Sequence, residues 1–296
     1  MNWTKNIQFR HSTCYDYNGK NAEFNDNVID VYIVTTRQCN AACKFCEYHT
    51  GNINLDTGWI IEAFKELSRT AVVGTIHFTG GETTLGATDK MVEICTEAKK
   101  IFPLVKTSVN TNGSRLKDLE GIDVLDNIAL SRHHYDDEAN NSIFGIKTAD
   151  TETLNGFNDK HKLHLSCNLI KGYIDNEEEI KMYLEYVSKL GVCDIGLVSL
   201  MKINKYCEEH FVDFNKLDLE RINNLKRTRW YCNSLDKTSC SCKCENYLYM
   251  AENYNLLSVY HRQAIKLKGI KEISNYLVFE DKKIMQGFNG AVLNKL

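Results

Sequence analysis

The sequence predicts an α/β fold built as an open partial barrel of six βα units, and three observations carry that expectation. Strand-like apolar runs alternate with amphipathic helical runs from Ile29 to Leu200, the pattern of parallel strands joined by helical crossovers. Six such units can be counted, too few for a closed eight-unit barrel. At 296 residues and 43% hydrophobic, the chain is long enough to bury one large core and fold on its own.

The elements follow in order. "IDVYIVTT" (29–36) reads as the first strand, and "TGWIIEAFKELSRT" (57–70) as a helix with Trp59, Ile60, Ala63, Phe64 and Leu67 at helical spacing and Thr57 as N-cap. Then come strand 73–79, helix 90–102, strand 104–110 and, after a turn-rich connection, strand 128–131. Helix 136–145, strand 162–170, helix 176–191 and strand 194–200 complete the array. Past Met201 the pattern changes: Lys202 to Trp230 reads as mostly helical and charged, a cysteine-rich stretch follows, and hairpins are predicted over 246–261 and 275–288. The predicted organisation is an N-terminal extension (1–28), a core (29–200) and a small cysteine-rich, hairpin-containing C-terminal region (201–296), with the boundary near Leu200. No internal repeat or low-complexity stretch interrupts this, and the single proline, Pro103, leaves no Pro-rich linker.

Bulk charge excludes several functions. A net charge of -3 and a pI near 6.3, with no basic block beyond "LKRTRW" at 225–230, offer no nucleic-acid footprint. No apolar run approaches the ~18 residues that span a bilayer, and the first twenty residues lack the order of a secretory signal. A cytoplasmic protein is expected. Twelve cysteines in that reducing compartment read as metal ligands rather than disulfides.

"TTRQCNAACKFCEYHTG" (35–51) places Cys39, Cys43 and Cys46 just after the first strand, at the C-terminal edge where parallel α/β sheets bind ligands. Three thiolates leave one iron of a four-iron cube open, or form zinc Cys3His if His49 joins them. After the second strand stand Gly80, Gly81 and Glu82; glycines admit close backbone approach to a ligand and the carboxylate can pair with an ammonium, although an ordinary strand-to-helix turn reads the same way. Asn112, Ser131 and Arg132 are polar groups at the ends of the third and fourth strands, suited to a ribose and a carboxylate. Asp136, Asp137 and Glu138 read as caps of the next helix. The adjacent His133 and His134 read as solvated loop residues, with donation to a substrate as the alternative.

Taken together, this order of motifs resembles the radical S-adenosylmethionine enzymes, whose CxxxCxxC with an aromatic before the last cysteine is matched by Cys39, Cys43, Phe45 and Cys46. The resemblance implies a partial TIM-like barrel carrying a 4Fe–4S cluster on the three cysteines, its open iron taking the amino and carboxylate groups of S-adenosylmethionine. It further implies that Gly80, Gly81 and Glu82 meet the methionyl amino group, Asn112 and Ser131 the ribose or carboxylate, and Phe45 the adenine side, with Arg132 also in the cosubstrate-binding set. Relatives tend to carry an acidic residue soon after the serine of "LSRHH"; Arg132 and His133 stand there instead. The implied activity is reductive cleavage of S-adenosylmethionine to a 5′-deoxyadenosyl radical that takes a hydrogen atom from a small-molecule substrate, an oxidoreductase or mutase fed by a flavodoxin- or ferredoxin-type reductant. A maturase of a short ribosomal peptide is the runner-up, because the roughly 28 residues before the first strand are too few for a leader-binding domain. A glycyl-radical enzyme activase and a non-enzymatic zinc-binding module are further alternatives.

Cys232, Cys240, Cys242 and Cys244 supply four thiols within thirteen residues. They predict an auxiliary 4Fe–4S cluster, similar in position but not in motif to the twitch extensions of some family members. Zinc, or three ligands plus a substrate-binding iron, are the alternatives. Cys14, Cys95, Cys167, Cys193 and Cys207 read as core or incidental residues, with Cys14 or Cys207 as hydrogen-atom donor an alternative.

Overall fold

Six parallel strands form the centre of one eleven-stranded sheet. The structure, a computed structural model, describes residues 3–7, 13–15, 21–23, 28–47, 51, 53–232, 243–251, 255–262, 276–288 and 290–294. A 3-10 turn (Trp3–Asn6) and a ribbon of β1 (Thr13–Tyr15) and β2 (Asn21–Glu23) precede the central strands. These are β3 (Val28–Thr36), β4 (Val72–Gly80), β5 (Lys106–Thr111), β6 (Asn127–Ser131), β7 (Leu163–Leu169) and β8 (Asp194–Ser199). They are joined in turn by α1 (Thr57–Leu67), α2 (Thr88–Ile101), a 3-10 turn at Leu116–Leu119, the pair α3 (Asp137–Phe144) and α4 (Thr151–Asn155), and α5 (Glu177–Leu190). The strands pair in chain order and the sheet does not close, as expected for an open partial barrel.

Local chemistry accounts for the helix ends. Asp56, not Thr57, caps α1: its extended backbone lets the carboxylate accept from the Trp59 N–H at 3.0 Å, and Thr57 becomes the first helical residue. Asp136 caps α3 and Asn176 caps α5, and both helices end on a left-handed glycine, Gly145 and Gly191. The apolar stripes of α1, α2 and α5 pack on one face of the sheet, where Phe64, Ile94, Tyr183 and Leu184 meet Val31, Ile33, Val73 and Leu165 in the main core. Each such side chain, buried from water, contributes about 1.5–3 kcal/mol. Cys95 and Cys167 belong to this core, as their apolar context predicts.

The segment after Leu200 departs from its predicted helical character. Within 202–230 α6 (Lys205–Glu209) alone is α-helical; two 3-10 turns follow, and 225–232 is a strand, β9 (Leu225–Cys232). Asn204 and Asp213 turn their side chains onto the local backbone, which cuts helical runs short. Both predicted hairpins are present: β10 (Lys243–Met250) with β11 (Leu256–Arg262), and β12 (Tyr276–Glu280) with β13 (Lys283–Gln286). Their strands extend the central sheet. β11 pairs in parallel with β8, and β12 with β3, so the strands on either side of Leu200 share one sheet. No helix among the described residues is long and apolar enough to cross a membrane.

Candidate active site

The cysteine loop leaves β3 at Thr36 and is held from below by the end of β4. The Gly81 N–H donates to Thr36 O at 2.7 Å and the Glu82 N–H to Gln38 O at 2.8 Å. A Cβ at Gly80 would lie 2.1 Å from Thr36 O, and one at Gly81 1.9 Å from Gln38 O; Gly80 also holds φ +128°. The backbone these glycines let in is that of the cysteine loop itself. From the other side, the Ala42 N–H donates to Phe144 O at 2.8 Å, so the last turn of α3 presses on the loop beside Gly145.

Within the loop, the Cys46 N–H donates to Cys43 O at 3.1 Å, and Cys39 Sγ accepts from the Ala41 N–H at 3.4 Å. The three cysteines share one small cluster with Ala41, Phe45, Phe144 and Ile146. Cys43 is 8% exposed; Cys39 and Cys46 are half-buried. Burial pushes the Cys43 thiol up to about 12, and the facing Cys46 and Cys39 add to the effect. The Cys39 thiol is likewise raised, chiefly by burial and further by Glu82 and Cys46. A cation bound at Cys39 and Cys43 would offset the burial and mutual repulsion that keep these two thiols protonated.

Glu82 is 1% exposed and holds the next loop. Its Oε1 accepts from Thr84 Oγ1 at 2.6 Å, Thr84 N at 3.2 Å and Thr111 Oγ1 at 2.7 Å; Oε2 accepts from the Asn112 N–H at 2.7 Å. Asn112 thereby reaches the cysteines: its Nδ2 donates to Asn40 Oδ1 at 2.9 Å and stands 4.0 Å from Cys39 Sγ.

Ser131 lies half-buried at the end of β6. Arg132, one residue on, points the other way. It is 1% exposed, and its guanidinium donates to Ala149 O at 2.8 Å, Tyr135 O at 3.1 Å and Asp137 Oδ1 at 2.5 Å while lying against the Tyr186 ring. These partners belong to the helix layer, so Arg132 is withdrawn from the residues that could reach a cosubstrate. Asp137, in turn, is an ion-pair partner as well as a residue of the α3 first turn. The expectation of solvated histidines also fails at His133. This ring is buried, stacks on Phe144 at 4.9 Å and meets the Phe45 ring edge-on at 5.3 Å. Its Nδ1 accepts from the Asn168 N–H at 3.0 Å, and burial lowers its pKa to about 3.

Two further anchors come from the C-terminal segment and escape sequence reasoning. Asn204 Nδ2 donates to Lys44 O at 3.2 Å, and Cys207 Sγ to Phe45 O at 3.6 Å. The Asn-x-x-Cys spacing signals a helix cap, but nothing in it says that the cap docks on residues 160 positions earlier. Likewise Arg37 pairs with Glu280, and Asp56 with Lys282 at 2.8 Å, so the β12–β13 turn grips both ends of the 37–56 connection. Cys240, Cys242 and His49 lie outside the described residues; Cys232 and Cys244 are described as positions on β9 and β10.

The model of the radical SAM superfamily matches residues 33–191, 159 of the 296 residues. The chain belongs to the radical SAM superfamily. Among solved structures, SuiB of Streptococcus suis bound to S-adenosylmethionine superimposes with a TM-score of 0.50 at 15% identity, over 60% of this chain and 42% of that one. Native anSMEcpe with bound AdoMet gives 0.48 at 16% identity, over 60% and 55%. The FeFe-hydrogenase maturase HydG from Carboxydothermus hydrogenoformans gives 0.44 at 12%, over 63% and 48%. The chain thus spans about half the length of these proteins, and the likeness to SuiB is one of fold. No curated protein matches the chain by sequence.

Membership implies a 4Fe–4S cluster and S-adenosylmethionine, and the radical SAM loop fits them. Its three thiols are gathered on one loop in a single cluster, soft sulfur donors suited to iron, and the Glu82–Asn112 network stands beside Cys39. Among the described residues, no three Cys, His, Asp or Glu side chains converge on a single ion.

Proposed function

We propose that this radical SAM protein cleaves S-adenosylmethionine reductively at a 4Fe–4S cluster held by Cys39, Cys43 and Cys46, and directs the resulting 5′-deoxyadenosyl radical to a C–H bond of a small molecule. The carrying observation is the cysteine loop fastened to the C-terminal edge of the parallel sheet by the Gly80–Gly81 contact and the Glu82–Asn112 network. When bound, the cluster supplies the electron for that cleavage, drawn from an external one-electron reductant. The chain's own part is positional. Cys39, Cys43 and Cys46 leave a ligand position for the cosubstrate, Asn112 and the half-buried Ser131 offer hydrogen bonds to its polar atoms, and Phe45, braced by His133, offers an apolar face. Gly80 and Gly81 hold the loop close enough for this to occur. The reducing cytosol suits the seven free thiols among the described residues.

Anaerobically reconstituted, reduced protein is expected to convert S-adenosylmethionine to 5′-deoxyadenosine, and Cys39→Ala, Cys43→Ala or Cys46→Ala each to bring this to background with loss of the cluster's visible absorbance. A colourless wild-type protein carrying stoichiometric zinc would overturn the proposal.

An auxiliary cluster on Cys232, Cys240, Cys242 and Cys244 is part of the same reading. β9 runs in the direction of β8, because it is antiparallel to β10, which is antiparallel to β11, which is parallel to β8. Cys232 therefore ends β9 at the sheet edge that carries the cysteine loop, and Cys244 stands one register position from it on β10. Replacing Cys240 and Cys242 together is expected to remove about half of the bound iron; unchanged iron content sinks the second cluster.

A further inference from the structure

A packed parallel barrel fills its inner face with branched aliphatic side chains. Here the face opposite the helices carries polar side chains on every strand, interspersed with Val34, Ala129 and Val198. Tyr32 stacks on His77 at 4.6 Å, Asn110 Nδ2 donates to Thr79 Oγ1 at 3.3 Å, and Ser108 Oγ donates to Asn127 Oδ1 at 3.0 Å. The rows run across neighbouring strands, since Tyr32 pairs in register with His77, and His77 with Ser108. We propose that this face of the open sheet binds the substrate of the radical reaction and that the substrate is an uncharged, hydroxyl-rich small molecule, a polyol or a sugar ring; the assignment rests on the function proposed above.

Three observations select that class. At the alternate positions of β3 to β8 on this face, the acidic and lysine residues are Asp30, Lys106 and Asp194, all at the strand ends remote from the cysteines. Each has a partner there: Asp30 accepts from the Thr75 N–H at 2.9 Å, Asp194 faces His164 Nδ1 at 2.9 Å, and Lys106 faces Asp126 at 3.8 Å. Nearer the cysteines the described positions of this face carry the hydroxyl of Thr79, the amides of Asn110 and Asn168 and the His77 imidazole, beside the small apolar Val34, Ala129 and Val198. Burial holds His77 near 4, so that ring is neutral at pH 7. Hydroxyls and amides set beside aliphatic side chains suit the polar edge and C–H face of a sugar ring. A charged ligand would lose its hydration there without finding a counter-ion among the described strand residues of this face. An apolar one would meet none of the hydrogen-bonding capacity that the Asn110–Thr79 and Ser108–Asn127 pairs leave over, at about 1–3 kcal/mol for each group cut off from water. A peptide adding as a strand finds both edges of the six-stranded centre already paired, by β12 and β11.

The test is an equilibrium titration of the full-length, cluster-loaded protein with S-adenosylmethionine and no reductant, so that failure of radical formation and failure of this assignment are read separately. The probes are myo-inositol and D-glucose, their charged counterparts D-glucose 6-phosphate and D-glucosamine, and tetraglycine. The neutral ring probes are expected to bind, and the charged probes and tetraglycine to bind at least about tenfold more weakly. Thr79→Val with Asn110→Leu is expected to weaken the neutral probes by about tenfold or more, with iron content and S-adenosylmethionine affinity unchanged. Should that pair fail to load iron, Ser108→Ala carries the same comparison. Charged probes or tetraglycine that equal the neutral rings, neutral rings that do not bind, or neutral-ring binding indifferent to these variants would each overturn the assignment.

Discussion

Glu82→Ala is expected to cost about 3–5 kcal/mol of stability and to leave the protein unable to retain its N-terminal iron. The carboxylate accepts four hydrogen bonds while 1% exposed. Its removal strands the Thr84 and Asn112 N–H groups and two threonine hydroxyls in a cavity that water enters poorly. At about 2–4 °C per kcal/mol for a large domain, the thermal midpoint should fall by roughly 6–20 °C. Glu82→Gln keeps the shape but turns an amide NH2 toward donors, so it should recover part of the midpoint and little of the iron. A Glu82→Ala protein that melts like wild type, with full iron, would show that the network merely lines the loop.

Arg132→Met is expected to destabilise by about 2–4 kcal/mol, because it takes the cation from Asp137, which keeps its Thr151 donors, and leaves the buried Ala149 carbonyl and the part-buried Tyr135 carbonyl without theirs. Arg132→Lys should recover less than half, since one ammonium cannot serve Ala149 O, Tyr135 O and Asp137 from the plane of a fork. The pH dependence separates this pair from simple packing. Burial by itself would raise the Asp137 carboxyl, but the hydrogen bonds from Arg132 and the Thr151 N–H, with the guanidinium charge, outweigh it and hold the group below its ordinary 3.8. A lowered folded-state value contributes stability that is present above 3.8 and is lost as pH falls through the folded value. Acid unfolding of wild type should therefore steepen below pH 3.8, and Arg132→Met should flatten that limb. Parallel acid limbs in the two proteins would count against the ion pair. The consequence for function is indirect: Arg132 secures α3, and the Phe144 carbonyl at its end holds Ala42 of the cysteine loop.

Much of this molecule is legible in the sequence because its signals are local. The alternation of apolar runs, the Asn176 cap and Gly191 stop of α5, and the two hairpins all depend on residues a few positions apart. The Cys39–Cys43–Cys46 spacing is legible for the same reason. Arg132 misled because its position at a strand end suits a ligand carboxylate, whereas its pairing is set by a helix packed behind the sheet. His133 misled because a polar pair in a loop says nothing of the Phe144 and Phe45 rings that enclose one member of it. The predicted helix over 202–230 gave way to turns and a strand because β10 supplies β9 with a partner.

The sequence by itself determined the six parallel strands, the helices over α1, α2, α3 and α5, the three-cysteine turn and its place at a ligand-binding sheet edge, since each is written in periodicity or in spacing within one segment. Tertiary structure alone decided that β11 and β12 flank the six-stranded centre, that Glu82 is a buried acceptor for the Asn112 loop, and that Asn204 and Cys207 reach Lys44 and Phe45. Those contacts join segments tens to hundreds of residues apart, where which groups meet is settled by how the sheet and helices pack and not by any local preference of the chain.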